Sequence, residues 1–323
     1  MKYLVAGAGG FIGGHIVKQL LLDGHQVVAV DLKPQDKWFQ VFKEPKNYFD
    51  TDLTEKANCL KHVSDVDTVI NMACNMGGMG FIENNKAECM ISVLINTHLL
   101  IACKKNNIKN YFFSSSACAY NKDLQEQTFI KGLKETDAYP AMPEDGYGWE
   151  KLFSERMCRH FQEDFGINTK VARYHNIYGP NGTFDGGREK APAALCRKVV
   201  HAIRNSQETI EVWGDGEQTR SFLYIDDCVE ATLKFINSKE TGPINIGSEE
   251  QVSINQMLEK IEIIAEKKFK RKYLLDKPKG VRGRSSDNTL IKNKLAWEPK
   301  FSLSKGLEKT YFWIKNEITK NSN

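Results

Sequence analysis

No C-x-x-C pair occurs in this sequence, and no cysteine–histidine group has zinc-ligand spacing, although eight cysteines stand at 59, 74, 89, 103, 118, 158, 196 and 228. That pattern argues against a metal site and against a disulfide framework; reduced thiols in a cytoplasmic protein are the expectation. No stretch approaches the roughly 20 apolar residues that a membrane span needs. There is no internal repeat and no low-complexity tract. "MKYLVAGAGGFIGG" opens at once on a strand-like run, so no secretory leader is expected. A net charge of +4 is too weak and too scattered to imply nucleic acid. What is present is apolar material, 41% of 323 residues, enough for a sizeable core.

That material is ordered as alternating units. "KYLVAG", "HQVVAVD", "DTVINMA", "NYFFSSS" and "TKVARY" read as buried strands. Between them lie helical patterns, including one over residues 89–105 and one over about 146–162. The fold class expected is α/β, a doubly wound parallel (Rossmann) sheet with a second, smaller α/β substrate lobe. The boundaries expected are 1–174 for the sheet domain, which also takes in about 226–246, and 175–323 mainly for the lobe. In the lobe a helix is expected from about 193 to 204, then strands at "TIEVWG" and "TRSFLYI".

Gly7, Gly10 and Gly13 follow the first strand and open the first helix as G-x-x-G-x-x-G. Such glycines permit a tight turn and let a pyrophosphate approach the helix N-terminus. Asp31 ends the second strand, where an acid binds the adenosine ribose 2′-OH and repels a 2′-phosphate. NAD is therefore expected over NADP, with Lys33 tempering the preference.

Tyr147 and Lys151, in "YGWEK", are spaced i, i+4 and share a helix face. An ammonium there lowers the phenol pKa, so that the phenolate takes a proton from a hydroxyl while NAD takes the hydride. A helix can carry Y-x-x-x-K by chance; the glycine turn and the serine run "SSS" at 114–116 argue against chance here. With these motifs the chain resembles the extended short-chain dehydrogenase/reductase family of nucleotide-sugar enzymes, from Met1 to about Lys315. The resemblance implies that Ser116 hydrogen-bonds the reacting hydroxyl. It also implies that Phe11, Ile12, Asp52 and Leu53 lie along the cofactor.

"NMGGMGFIENN", "SSSACAY", "RYHNIYGPNGTFDGGREKAPAALCRK", "WGDGEQTRSF", "INIGS" and "GVRGRSSDN" are similar to a narrower group in that family, the epimerases of GDP-sugars. This implies conversion of GDP-mannose to GDP-L-galactose and GDP-L-gulose by transient C4 oxidation. Cys118 and Lys190 are then the acid/base pair, both with pKa values moved downward by the pocket. By the same resemblance Arg220, Arg284 and Lys198 meet the diphosphate, and Gln218 and Thr219 add polar contacts. Gly77, Ala117, Asn176, Glu189 and Ala191 line the substrate. His175 is assigned packing only. Asn75 departs from the group's pattern, which has Asp there. A homodimer through helices near 89–105 and 147–162 is implied. A 4-epimerase, a single-carbon epimerase or a 4,6-dehydratase on another GDP-sugar remains the alternative, and a non-catalytic NAD-binding protein a third.

Overall fold

The computed structural model describes residues 1–40, 42 and 47–320. The first half of the chain runs β1 (Lys2–Ala6), α1 (Phe11–Leu22), β2 (Gln26–Asp31), β3 (Tyr48–Asp50), α2 (Lys56–His62), β4 (Thr68–Asn71), α3 (Met79–Asn84), α4 (Lys86–Ile91), α5 (Val93–Lys105), β5 (Asn110–Ser116), α6 (Tyr147–Phe165) and β6 (Asn168–Tyr174). The second half runs β7 (Ile177–Tyr178), α7 (Ala191–Arg204), β8 (Thr209–Trp213), β9 (Thr219–Ser221), β10 (Leu223–Tyr224), α8 (Ile225–Ile236), β11 (Ile244–Ile246), β12 (Gln251–Ser253), α9 (Ile254–Ile264), β13 (Lys270–Leu274), β14 (Gly283–Arg284), α10 (Thr289–Leu295) and α11 (Leu303–Lys320).

Seven of the described strands form one parallel sheet in the order β11-β6-β5-β4-β1-β2-β3. Strands covered on both faces are buried continuously rather than on alternate residues, and β1, β2 and β4 are, with uninterrupted apolar runs at Leu4–Ala6, Val27–Val30 and Val69–Ile70. The chain reverses direction across the sheet between β1 and β4, so a crevice opens at their carboxyl ends. One face packs on α2, α5 and α6 through Cys59, Leu99, Leu100, Cys103 and Cys158. The other packs on α1 and α8, and that core continues through α7, α9 and α11. Beyond the sheet, β8 pairs with β13, and β9 with β12 and β14.

Three expectations change. The helix expected over 89–105 is two helices meeting at Ser92, whose hydroxyl accepts the Asn75 N–H at 2.9 Å instead of continuing a smooth helix. "TRSFLYI" is likewise two short strands, β9 and β10, in different sheets. Contrary to the expectation that no such stretch exists, residues 86–105 are long and apolar enough to cross a membrane by length and composition alone. Their Cys89, Leu99, Leu100 and Cys103 are instead buried in this core, and α5 packs on α2 and α6.

Candidate active site

The turn after β1 is shaped for close approach. Gly7 has φ +79° and donates to the Val30 carbonyl at 2.8 Å. A Cβ at Gly13 would strike the Gly7 carbonyl oxygen, so α1 sits directly on the turn. Gly10 caps α1, and Phe11 and Ile12 form its first turn. Asp31 closes the other side: one carboxylate oxygen accepts from Gly9 N at 2.9 Å and the other from Lys33 N at 2.8 Å. Lys33 Nζ donates to the Gly9 carbonyl at 3.1 Å. Thr51 N donates to the Asp31 carbonyl, which brings Asp52 and buried Leu53 beside it. Asp52 Oδ1 accepts from Thr54 N at 2.8 Å and from its hydroxyl at 2.7 Å.

Tyr147 and Lys151 stand on the first turns of α6, over the end of β5. The helix is clamped to the sheet from below. Glu155 accepts from Arg173 of β6 through both oxygens, at 2.9 and 2.7 Å, and from the Ser115 hydroxyl of β5. Such a bidentate pair fixes orientation as well as distance. Lys151 is 1% exposed, and its Nζ has no hydrogen-bond acceptor; Glu150 Oε2 lies 3.3 Å away, and the Phe113 and Tyr147 ring centres 4.8 and 5.4 Å away. A buried ammonium with donors left over from its one ion pair fits the ribose hydroxyls of a dinucleotide, and the glycine-lined N-terminus of α1 fits its pyrophosphate.

The phenol corrects an expectation. Burial pushes the Tyr147 pKa well above its ordinary value, Cys74, Cys118 and Glu150 push it further, and the Ser116 hydroxyl opposes them. The expected lowering by Lys151 does not prevail, because desolvation of the phenolate outweighs the ammonium at this distance. Lys151 itself is pushed down by burial, but Cys74 and Glu150 outweigh that and hold it above normal.

Cys118 lies in the single turn at residues 117–119 that ends β5, with its N–H donating to Ser116 Oγ at 3.2 Å. Ala117 is buried beside it. Cys118 packs with Tyr147, Ile82 and Cys89, against Cys74, Met76 and Phe81. The expected downward shift fails here too: burial raises the thiol pKa, Glu144 adds to the rise, and Arg284 opposes it. For half-buried Lys190 the expected direction holds; burial lowers it, while Cys118 and Cys74 act in the other direction. A thiol pushed up and an ammonium pushed down approach each other in proton affinity, which favours transfer in either direction.

Lys190 precedes α7 at the end of a loop held by several contacts. The Arg188 carbonyl accepts from Gly78 N at 3.0 Å, and Gly77 seats against Phe81 and Arg188. Arg188 Nη1 donates to Asn75 Oδ1 at 2.8 Å, and its guanidinium stacks 3.9 Å above the Phe81 ring centre. Asn75 therefore clasps the loop that carries Lys190. Glu189 accepts from Gly187 N and from Arg197 Nη2, each at 2.7 Å, and Ala191 begins the helix.

Other expected substrate contacts are held by protein partners. Arg220 is buried, pushed down to about 10 by burial and by Arg284, and donates to the carbonyls of Thr219, Lys279 and Val281. Lys198 Nζ donates to the Glu211 carbonyl at 2.7 Å. Gln218 donates to the Trp213 carbonyl, its Oε1 is buried without a partner, and Thr219 Oγ1 donates to the Thr128 carbonyl. Asn176 takes φ +46° and donates to the Ser221 carbonyl at 3.0 Å. Arg284 is 3% exposed and paired with Glu144. His175 is fully buried, bonded to Asn245 at 2.9 Å and pushed down to about 3 by burial, so it stays neutral. Sequence reasoning missed Cys74, Gln125, Glu144 and Arg188. What the sequence does not show is their partners, which lie far along the chain: Arg188 meets Asn75, and Glu144 and Gln125 meet Arg284.

A crevice at the strand reversal, a glycine turn on a helix N-terminus and a Tyr–Lys pair beside a serine define an NAD-dependent enzyme of the short-chain type. The chain belongs to the NAD dependent epimerase/dehydratase family, whose sequence profile matches residues 3–247. It is 47% identical over 322 residues to GDP-mannose 3,5-epimerase of Arabidopsis thaliana, covering 99% of this chain and 84% of that one. Among solved structures it is similar to UDP-glucose 4-epimerase of Thermotoga maritima with UDP-glucose, at 25% identity and a TM-score of 0.87, covering 98% and 100% of the two chains. UDP-glucuronic acid 4-epimerase of Bacillus cereus, in complex with UDP-glucuronic acid and NAD, matches at 26% identity and a TM-score of 0.83 with the same coverage. The cofactor is NAD.

Proposed function

We propose that this chain epimerises GDP-mannose at C3 and C5, giving GDP-L-galactose, with GDP-L-gulose from inversion at C5 alone. One observation carries the reading: an oxidising pair, Tyr147 and Lys151, and a proton-exchanging pair, Cys118 and Lys190, bear on one pocket. A 4-epimerase uses only the first pair.

Gly7, Gly10, Phe11, Ile12, Gly13, Asp31, Asp52 and Leu53 would hold the dinucleotide, together with Tyr147 and Lys151. Bound NAD supplies the hydride acceptor and donor at C4, and a positive ring that favours the phenolate. Ser116 bonds the C4 hydroxyl, and Tyr147 takes its proton as the C4–H electron pair departs. The resulting ketone makes the hydrogens at C3 and C5 acidic. Removing either from one face and returning a proton to the other inverts that carbon, and Cys118 and Lys190 serve the two faces. Hydride finally returns to C4 as Tyr147 returns its proton to the C4 oxygen, so the reaction is redox-neutral. Arg220, Arg284 and Lys198 lie toward the diphosphate. Gly77, Ala117, Asn176, Glu189, Ala191, Gln218 and Thr219 shape the sugar side. Residues 1–174 with about 226–246 carry the dinucleotide, and the remainder of 175–323 mainly carries the nucleotide sugar.

Incubation with GDP-mannose in deuterated water, with NAD far below stoichiometric amounts, tests this. Product inverted at C5 or at C3 and C5, with deuterium at the inverted carbons and no accumulating NADH, is expected. Product inverted at C4 without deuterium makes the chain a 4-epimerase, and a clear preference for NADP removes Asp31 from its ribose role.

The protein is further proposed to be a cytoplasmic homodimer. Met90 and Val93 on α4 and α5 and Trp149 and Phe153 on α6 line an apolar groove, with Phe153 53% exposed, and Ile91 and Leu94 on the same two helices are exposed as well. A two-fold axis brings such a face against itself as four helices. Phe153→Glu with Leu94→Glu should halve the mass in sedimentation, and a monomeric wild type ends this reading. Cell fractionation that finds the chain outside the cytoplasm ends the other.

A further inference from the structure

The pocket contains a carboxylate that the epimerisation reading leaves without a task. Glu144 lies in the loop before α6, 8% exposed, and its N–H donates to the Cys118 carbonyl at 3.1 Å. Its side chain pairs with Nη2 of Arg284. The same guanidinium donates through Nη1 to Cys118 Sγ at 3.5 Å and through Nε to Gln125 Oε1 at 2.6 Å. Gln125 is fully buried and tied by Nε2 to the Asn121 carbonyl at 3.1 Å. Every named partner of the Arg284 side chain is thus buried and fixed.

We infer that Glu144 is a positioning residue that fixes the Arg284 guanidinium against the Cys118 sulfur and neutralises its charge there. The inference rests on the reading of Cys118 as a proton-exchanging group. A lone guanidinium beside a thiol stabilises the thiolate and drains the proton needed for delivery to the sugar. Paired with a carboxylate, it orients the sulfur without stripping it. Burial is the largest influence on the thiol and Glu144 the next, both upward. The titratable and charged groups facing Cys118 are Glu144 from the loop, Arg284 of β14, Arg220 of β9, Tyr147 of α6, Cys74 after β4, Cys89 of α4 and Lys190 before α7. Of these, the Glu144 carboxylate is the group that pairs with the guanidinium on the sulfur.

The test is a pH titration of thiolate ultraviolet absorbance, taken as the difference between each protein and its own Cys118→Ser counterpart. Glu144→Gln keeps the shape and removes the charge, and should move the Cys118 midpoint down by about one pH unit, the usual effect of one nearby charge. Glu144→Asp should stay near wild type. Glu144→Gln with Arg284→Gln removes both charges and should restore the midpoint, which also guards against a single variant whose unpaired arginine disturbs folding. An unmoved midpoint in Glu144→Gln overturns the inference; if KM for GDP-mannose falls as well, Arg284 serves the diphosphate alone. A midpoint that moves while Cys118→Ser still incorporates deuterium at the wild-type rate leaves the Glu144 relation standing and ends the catalytic reading of Cys118.

Discussion

Tyr147→Phe should bind GDP-mannose within a few-fold of wild type and release none of it inverted. The substitution removes only the phenol oxygen; the ring keeps its place in the cluster with Cys118, Ile82 and Cys89. Without that oxygen nothing accepts the C4 hydroxyl proton as hydride leaves, so no ketone forms. Without the ketone the hydrogens at C3 and C5 stay inert. Loss of a general acid/base costs about 10²- to 10⁴-fold. Here one missing atom should suppress transient NADH absorbance, deuterium exchange and product together. Exchange at the wild-type rate in this variant would remove Tyr147 from the mechanism.

Cys118→Ser should separate those events. Tyr147, Lys151 and Ser116 remain, so C4 oxidation survives and transient NADH still forms. An alcohol holds its proton far more tightly than a thiol. Deuterium entry at C3 and C5 should fall by about 10²-fold or more. Lys190→Ala should give a similar loss from the opposite face. The double variant should be far less than multiplicatively worse, because either change alone breaks the proton circuit. If Cys118 is only a small apolar filler, Cys118→Ser exchanges deuterium like wild type and shows at most a modest loss of thermal stability.

Asn75 shows the boundary between what sequence and structure reveal. The sequence marks it as a departure from the pattern of GDP-sugar epimerases. The structure gives it a partner, Arg188, in the loop that delivers Lys190. Its nearest influence is therefore on where that loop sits.

The βα alternation, the glycine turn, the acid that ends β2 and the Tyr147–Lys151 face are all legible in the sequence. Each rests on spacing within a few residues or on one strand–helix unit, where backbone geometry dictates which side chains coincide. The break at Ser92, the clamp of Arg173 by Glu155 and the partner of Arg284 are not legible, because each joins residues that only the completed fold makes neighbours. Glu144 and Arg284 are 140 positions apart, and Cys118 and Arg284 are 166. Proton affinity belongs with these. The sequence by itself named Tyr147, Cys118 and Lys190 as candidates; the tertiary structure added Glu144 and Arg188 and decided that the phenol and the thiol are pushed up and the lysine down. Desolvation depends on what covers a group, and what covers these comes from distant segments of the chain.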